Sequence, residues 1–228
     1  IKIVNESDCE GVYEIEDLFP GYGYTIGHSL RRVILSSMPG TAITRVKIEG
    51  VSHEFSTIEG VKEDVINIIL NLKQVRFKMF TDDPQTFTTI IKGPAKFTAG
   101  DFQVPSQLEI INKDLHLAAI TGKDTIFNIE ITVEKGLGYT PKEMIQKDKM
   151  EVGAIALDAI FSPIRKVNYE VENMRVGERT DYNKVRLSIE TDCTIHPFEV
   201  LETAIKILMG QFKSVLGQDS GVSEEGSG

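Results

Sequence analysis

The hydrophobic patterning predicts an α+β fold. Two observations carry this. Apolar residues alternate with polar ones through most of the 228 residues, and turn residues punctuate those runs. At three places the period changes to that of a helix. The composition is that of an ordinary globular protein, with 41% hydrophobic and 26% charged residues. A chain of this length can bury roughly 70–75% of its unfolded surface, so core size sets no limit.

The elements follow in order. Gly11 to Phe19 alternates as a strand, with Tyr13 and Ile15 on one face and Glu14 and Glu16 on the other. Three glycines, Gly21, Gly23 and Gly27, then read as a tight turn or a close backbone approach. From Ile26 to Met38 the residues Ile26, Leu30, Val33 and Ile34 recur at helical spacing, and Met38-Pro39-Gly40 ends the helix. A second strand runs from Thr41 to Gly50, with Ala42, Thr44, Val46 and Ile48 facing inward. Ser56 and Glu59 sit at capping-box spacing ahead of Val61, Val65, Ile68, Ile69 and Leu72, which predicts a helix of about four turns. Val75 to Val133 reads as strands and turns. Gly136 to Gly153 is loop-like, either a contact loop or disordered. Val167–Val171 and Val185–Ile189 alternate as two strands joined by a charged loop from Arg175 to Lys184. Pro197 to Leu216 reads as a helix of about 30 Å with Leu201, Ala204, Ile205, Leu208 and Phe212 in one stripe. That stripe suits a subunit interface or packing on the chain's own sheet. Gln218 to Gly228 is polar and Gly/Ser-rich, as in a flexible tail or linker.

Several function classes are excluded or disfavoured. The net charge of −9 and pI near 5.1 lack the electrostatic footprint of a nucleic-acid binder. No run approaches the roughly 20 apolar residues that span a bilayer, and no signal-like stretch opens the sequence, so the chain reads as cytosolic. Cys9 and Cys193 are distant and show no CxxC spacing, which reads as two free, reduced thiols. His28, His53, His116 and His196 are scattered singly, so a metal site is not expected. No carboxylate cluster of the kind that holds catalytic metals is visible, and no catalytic residue or cofactor is assigned. The glycine run could in principle cradle a phosphate. Its spacing is wrong for a dinucleotide fingerprint and no acidic ribose partner follows, so close packing of loop and helix is the better reading.

The residues also carry a resemblance. GYGYTIGHSLRRVILSSMPG, from Gly21 to Gly40, resembles the pattern GxGxTLGNALRRxLLSSxPG of the alpha subunits of bacterial and plastid DNA-directed RNA polymerase, with Ile26, His28 and Ser29 as departures. HEFSTIEGVKEDVINIILNLK, from His53, resembles the same family, as does a GxGYxP turn at Gly136, Gly138, Tyr139 and Pro141. The segment from Ser162 to Pro197 is similar to SPxxxVxYxVExxRVGxRTDYxKxxLxIxTDGxIxP, with Cys193 in place of the usual glycine.

The resemblance implies an α+β fold in two lobes. Residues 1–40 and 167–217 would form a discontinuous dimerisation lobe, 41–166 an inserted β-rich lobe, and 218–228 a tail. It implies a non-catalytic subunit that homodimerises and forms the platform on which the β and β′ subunits assemble for transcription. Ile26, Leu30, Val33, Leu201, Ile205, Leu208 and Phe212 would make the dimer. Arg31, Arg32, Glu63, Arg175, Arg179 and Asp181 would meet the large subunits. No cofactor, metal, membrane or direct DNA contact is implied for this region, and the location would be the bacterial cytosol or nucleoid, or a plastid. A generic homodimeric adaptor outside polymerase is the alternative.

Overall fold

Strand β2 (Glu10–Leu18) lies between β1 (Lys2–Glu6) and β14 (Arg179–Thr191), and β14 borders β13 (Ile164–Val176), so distant parts of the sequence share one four-stranded sheet. The computed structural model describes residues 1–146 and 153–217. Their contacts group into two units. The first holds Ile1–Met38, Lys166–Glu190 and the residues from His196 onward; the second holds Pro39–Arg165 and Thr191–Ile195.

In the first unit, β14 pairs antiparallel with β2 in a register that sets Leu187 opposite Tyr13 and Val185 opposite Ile15. Tyr13, Val185, Leu187 and Ile189 are buried. Helices α1 (Tyr22–Ser37) and α4 (Pro197–Val215) pack on each other, and α4 packs on β2, where the Phe198 ring lies 5.9 Å from that of Tyr13. Glu14, which alternation assigns to the wet face, is covered by cations of the neighbouring strand: Arg186 Nη2 lies at 2.8 Å and Lys184 Nζ at 3.7 Å from its carboxylate. This is a cross-strand ion pair in register.

Helix α1 starts four residues earlier than the periodicity suggests. Gly23 and Gly27 lie inside it, and only Gly21, with φ of 86°, makes the turn. The reason is steric. A Cβ at Gly23 would stand 2.7 Å from Val171 and 2.8 Å from Asn183, and one at Gly27 would stand 2.5 Å from the Tyr169 ring. The glycines therefore let the helix lie directly on β13 and β14. Asn183 completes the joint by accepting the N–H groups of Gly21 (2.8 Å) and Gly23 (3.3 Å) on Oδ1. These are first-turn amides that the helix itself cannot satisfy.

The second unit is built on the antiparallel sheet β11-β3-β9-β5, from β3 (Pro39–Ile48), β5 (Gln85–Lys92), β9 (Ile126–Leu137) and β11 (Ala154–Ala156). Two-stranded ribbons pair β4 (Phe77–Met79) with β7 (Leu108–Ile110), β6 (Ala95–Thr98) with β8 (His116–Ile120), and β10 (Tyr139–Thr140) with β12 (Ala159–Ile160). Helix α2 (Val65–Leu72) covers one core built around Phe77, Phe87, Phe97, Phe102 and Phe127. In β3 the register shifts between Ile43 and Arg45, so Ile43 and Thr44 are both buried where strict alternation would expose one of them.

Other expectations are corrected. Helix α2 has eight residues, about two turns. The stretch before it is held away from helix: Gly60 has φ of 78°, its carbonyl accepts the N–H groups of Thr121 and Gly122, and Val61 bridges to Ile120. Within the loop-like stretch from Gly136, Tyr139–Thr140 is strand and Lys142–Ile145 is a single helical turn, α3. Residues 147–152 of that stretch and the 218–228 tail lie outside the described residues. The charged loop is mostly strand, because β13 and β14 run to Val176 and Arg179 and leave a turn of two residues. From Gly177 to Asp181 every residue is exposed, so no alternation marks the end of the hairpin. Neither cysteine is a free thiol, as Cys9 and Cys193 are both in disulfide form; chain spacing excludes a local CxxC pair but does not limit what a fold brings together. Cys193 takes φ of 70° in the turn after β14, the left-handed conformation that glycine adopts freely.

The close joint predicts the sign of a simple substitution. Alanine in place of glycine inside a helix ordinarily gains up to about 1 kcal/mol, but overpacking costs about 1–3 kcal/mol. With a 2.5 Å approach to an aromatic ring, Gly27→Ala is expected to lower stability in urea unfolding, and the paired change with Tyr169→Ala to relieve part of that loss.

Candidate assembly surfaces

The first unit presents two kinds of exposed surface. Near the β13–β14 turn, Arg179 holds Asp181 with two hydrogen bonds of 3.0 and 2.8 Å, and its guanidinium lies 5.3 Å from the Tyr182 ring. Hydrogen bonds from Arg179 hold the Asp181 carboxyl below its usual range, and the same bonds raise the guanidinium. Arg175 turns back to donate to the Gly177 carbonyl at 2.7 Å. Beside them Phe19 lies 5.5 Å from Tyr182 and 6.5 Å from Tyr22, ring to ring. On α1, Arg31 donates from Nε to the Val167 carbonyl at 3.1 Å, while exposed Arg32 has no partner among the described residues. Three of the contact residues expected from sequence thus gather at the hairpin end and two on α1.

The second surface is helical. Along α4 the burial changes with position: Val200, Leu201 and Ala204 are buried, Ile205, Ile207 and Leu208 are half-buried, and Met209, Phe212, Val215 and Leu216 are exposed. Phe212 is 65% and Val215 84% accessible. On α1, Leu30 and Ile34 are buried, Ile26 and Val33 half-buried and Leu35 exposed. Of the residues expected to pair two chains, Leu30 and Leu201 are already covered by their own chain. Ile26, Val33, Ile205, Leu208 and Phe212 keep apolar surface available.

In the second unit, Glu63 is occupied internally. Its Oε2 accepts the Ala119 N–H at 2.7 Å and its Oε1 faces His116 Nε2 at 2.8 Å, while Lys62 N–H donates to the Ala119 carbonyl. It latches the segment before α2 onto β8. In the same unit a groove of about 240 Å³ runs between α2 and β11, with exposed Phe55, Ile66 and Leu70 along it. Two ion pairs, Lys73–Asp158 at 2.9 Å and Lys142–Glu54 at 3.2 Å, edge the groove. Among the described residues, no three His, Cys, Asp or Glu side chains converge as a metal site, and no helix is long and apolar enough to cross a membrane.

Residues 46–162 match the family model described as RNA polymerase Rpb3/RpoA insert domain. A DNA-directed RNA polymerase subunit alpha of Roseiflexus castenholzii is 43% identical over 225 residues, covering 99% of this chain and 69% of that relative. The chain belongs to the alpha-subunit family of DNA-directed RNA polymerase. Proteins of the same description from Chloroherpeton thalassium (48% over 203 residues, 89% of this chain and 62% of the relative) and Symbiobacterium thermophilum (46% over 206 residues, 90% and 65%) agree. The chain spans between 62% and 69% of the length of these three relatives. Alpha subunits are non-catalytic members of the polymerase.

For this alpha-family chain, sequence reasoning missed Asn183, Tyr169 and His116. Asn183 left a signal: it shares the inward period of Val185, Leu187 and Ile189, so a polar residue stands where the strand pattern calls for an apolar one. Tyr169 shares the period of Val167 and Val171, which marks its face but not the glycine it meets; His116 left no signal.

Glu63 supplies a test with a defined pH dependence. Burial pushes its carboxyl up, but the hydrogen bonds from Ala119 and His116 outweigh burial and leave it below its ordinary value of 4.5. A depressed carboxyl contributes stability above the unfolded value and loses it as pH falls through the folded one. Glu63→Gln is expected to cost about 1–2 kcal/mol at neutral pH. Urea midpoints for the two proteins should then converge as pH falls below 4.5.

Proposed function

We propose that this alpha-family chain pairs with a second copy of itself through the distal half of α4 and the adjoining face of α1, and that the pair is the platform on which the β and β′ subunits assemble for transcription. The observation that carries the reading is the distal part of α4 and its C-cap Leu216, where Ile205 and Leu208 are half-buried and Met209, Phe212, Val215 and Leu216 are exposed. A patch of this kind on one chain is met most simply by the same patch on another, across a two-fold axis. Ile26, Val33, Ile205, Leu208 and Phe212 make the seam. Leu30 and Leu201 support it from beneath by fixing the two helices on the sheet.

The large subunits would use what pairing leaves open. Arg31, Arg32, Arg175, Arg179 and Asp181 offer charged and stacked groups on the first unit, and the groove at Phe55, Ile66 and Leu70 offers an apolar one on the second. Phe55 is 74% accessible, and an exposed aromatic beside ion-paired rims has the composition of an interface centre. Glu63 contributes by holding the segment that shapes this groove. The location would be the cytoplasm, where the polymerase works. The disulfide form of Cys9 and Cys193 stands against that location, because such bonds are rare in reducing compartments. Free-thiol titration of anaerobically prepared protein decides the point: two reactive thiols fit the cytoplasm, and none contradicts it.

Light scattering over a dilution series tests the pairing. The wild type is expected at twice 25.4 kDa. Phe212→Glu is expected as a folded monomer, since it leaves the chain's own core untouched and would place a carboxylate in an apolar seam. A wild type that is folded and monomeric at micromolar concentration overturns the proposal.

A further inference from the structure

A cavity of about 160 Å³ in the second unit is lined by three cations, Lys73, Arg76 and Arg165, and by one carboxylate, Asp158. Its walls are apolar, from Ile43, Leu72 and Ile160 among others, and its polar lining is Lys73, Arg76, Asp158, Ser162 and Arg165. Lys73 is matched by Asp158 at 2.9 Å. The two arginines are not matched in the same way. Arg76 Nε is withdrawn from water and donates no hydrogen bond. The nearest carboxylate oxygen, Asp192 Oδ2, lies at 3.6 Å, too far for one. The other oxygen of Asp192 is committed to Thr194, from whose N–H and hydroxyl it accepts at 3.1 and 2.5 Å. Arg165 is exposed and has no partner among the described residues.

Burial lowers the Arg76 guanidinium from its ordinary value, and the nearby charge of Arg165 lowers it further against the opposing pull of Asp192. Two guanidiniums that feel each other across a partly apolar cavity repel, and the repulsion is relieved most directly by an anion between them. Ser162 adds a donor: its Oγ accepts the Ile164 N–H at 3.4 Å, which leaves the hydroxyl hydrogen free. Two planar forks and a hydroxyl around a small cavity suit a tetrahedral oxyanion, which can take several donors at once. The cavity is distinct from the helical seam and from the apolar groove at Phe55, with which it shares only Lys73 and Asp158.

We propose that this cavity binds a phosphate-class oxyanion, held between the guanidiniums of Arg76 and Arg165 with the Ser162 hydroxyl as a third donor. The anion could be free phosphate or the phosphate of a nucleotide, and the same chemistry receives either. Binding would stabilise the second unit whether or not two chains pair.

Thermal unfolding and titration calorimetry of the full chain test this, with inorganic phosphate in one arm and ATP in the other, each against chloride at matched ionic strength. Saturable binding with a rise in Tm of about 2–4 °C is expected in at least one arm. The arm that binds more tightly identifies the source. Arg165→Gln, an exposed change that leaves the core intact, is expected to weaken binding about tenfold, and Arg165→Lys to recover part of it. Ser162→Ala should weaken it less. The absence of saturable binding in both arms, or equal affinity in wild type and Arg165→Gln, overturns the proposal.

Discussion

Helix α1 reaches strands β13 and β14 only where it has no side chains. Gly23 and Gly27 bring its backbone against Val171, Asn183 and Tyr169 at distances a Cβ would not survive, and Asn183 takes the two amides that the first turn leaves over. The two interior glycines cost the helix roughly 2 kcal/mol of intrinsic stability relative to alanine. Close packing and the hydrogen bonds to a buried amide offset that cost. The joint links positions about 160 residues apart in the sequence, and the placement of every exposed group on α1 follows from it.

One face of α1 is committed to the sheet, and its other faces lie outside that contact. Leu30 and Ile34 meet the chain's own core, Ile26, Val33 and Leu35 keep apolar surface, and Arg31 and Arg32 remain outside. Helix α4 shares this division along its length rather than around its circumference. Its first turns are core, and its last turns expose Met209, Phe212 and Val215. The second unit works differently, with its own phenylalanine-rich core, a segment latched to β8 at Glu63 and an exposed groove lined by Phe55, Ile66 and Leu70.

Much of this was legible in the sequence. Period-two runs marked β2, β3, β5, β9 and the inner parts of β13 and β14, and the stripe on α4 was visible as such. What was hidden has physical causes. Gly23 and Gly27 read as a tight turn or a close backbone approach, and the structure shows the close approach, inside a helix, against Asn183 and Tyr169. The capping-box spacing of Ser56 and Glu59 points to an earlier start for α2, while Gly60 takes a left-handed turn and its carbonyl accepts from Thr121 and Gly122, which no local pattern reveals. Whether the α4 stripe faced core or partner was undetermined by periodicity, which gives direction around a helix and says nothing of where along it the core ends. Nothing local marks the internal bonds of Glu63, because its partners, Ala119 and His116, lie over fifty residues away.

The proposed cover for the distal half of α4 is a second copy of the chain. Amide hydrogen exchange followed as a function of protein concentration tests it at the residues concerned. Amides from Ile205 to Val215 should exchange faster in dilute solution and become protected as concentration rises, while those of Val200 to Ala204 stay protected throughout. Exchange across the distal half that is fast and independent of concentration would contradict the account.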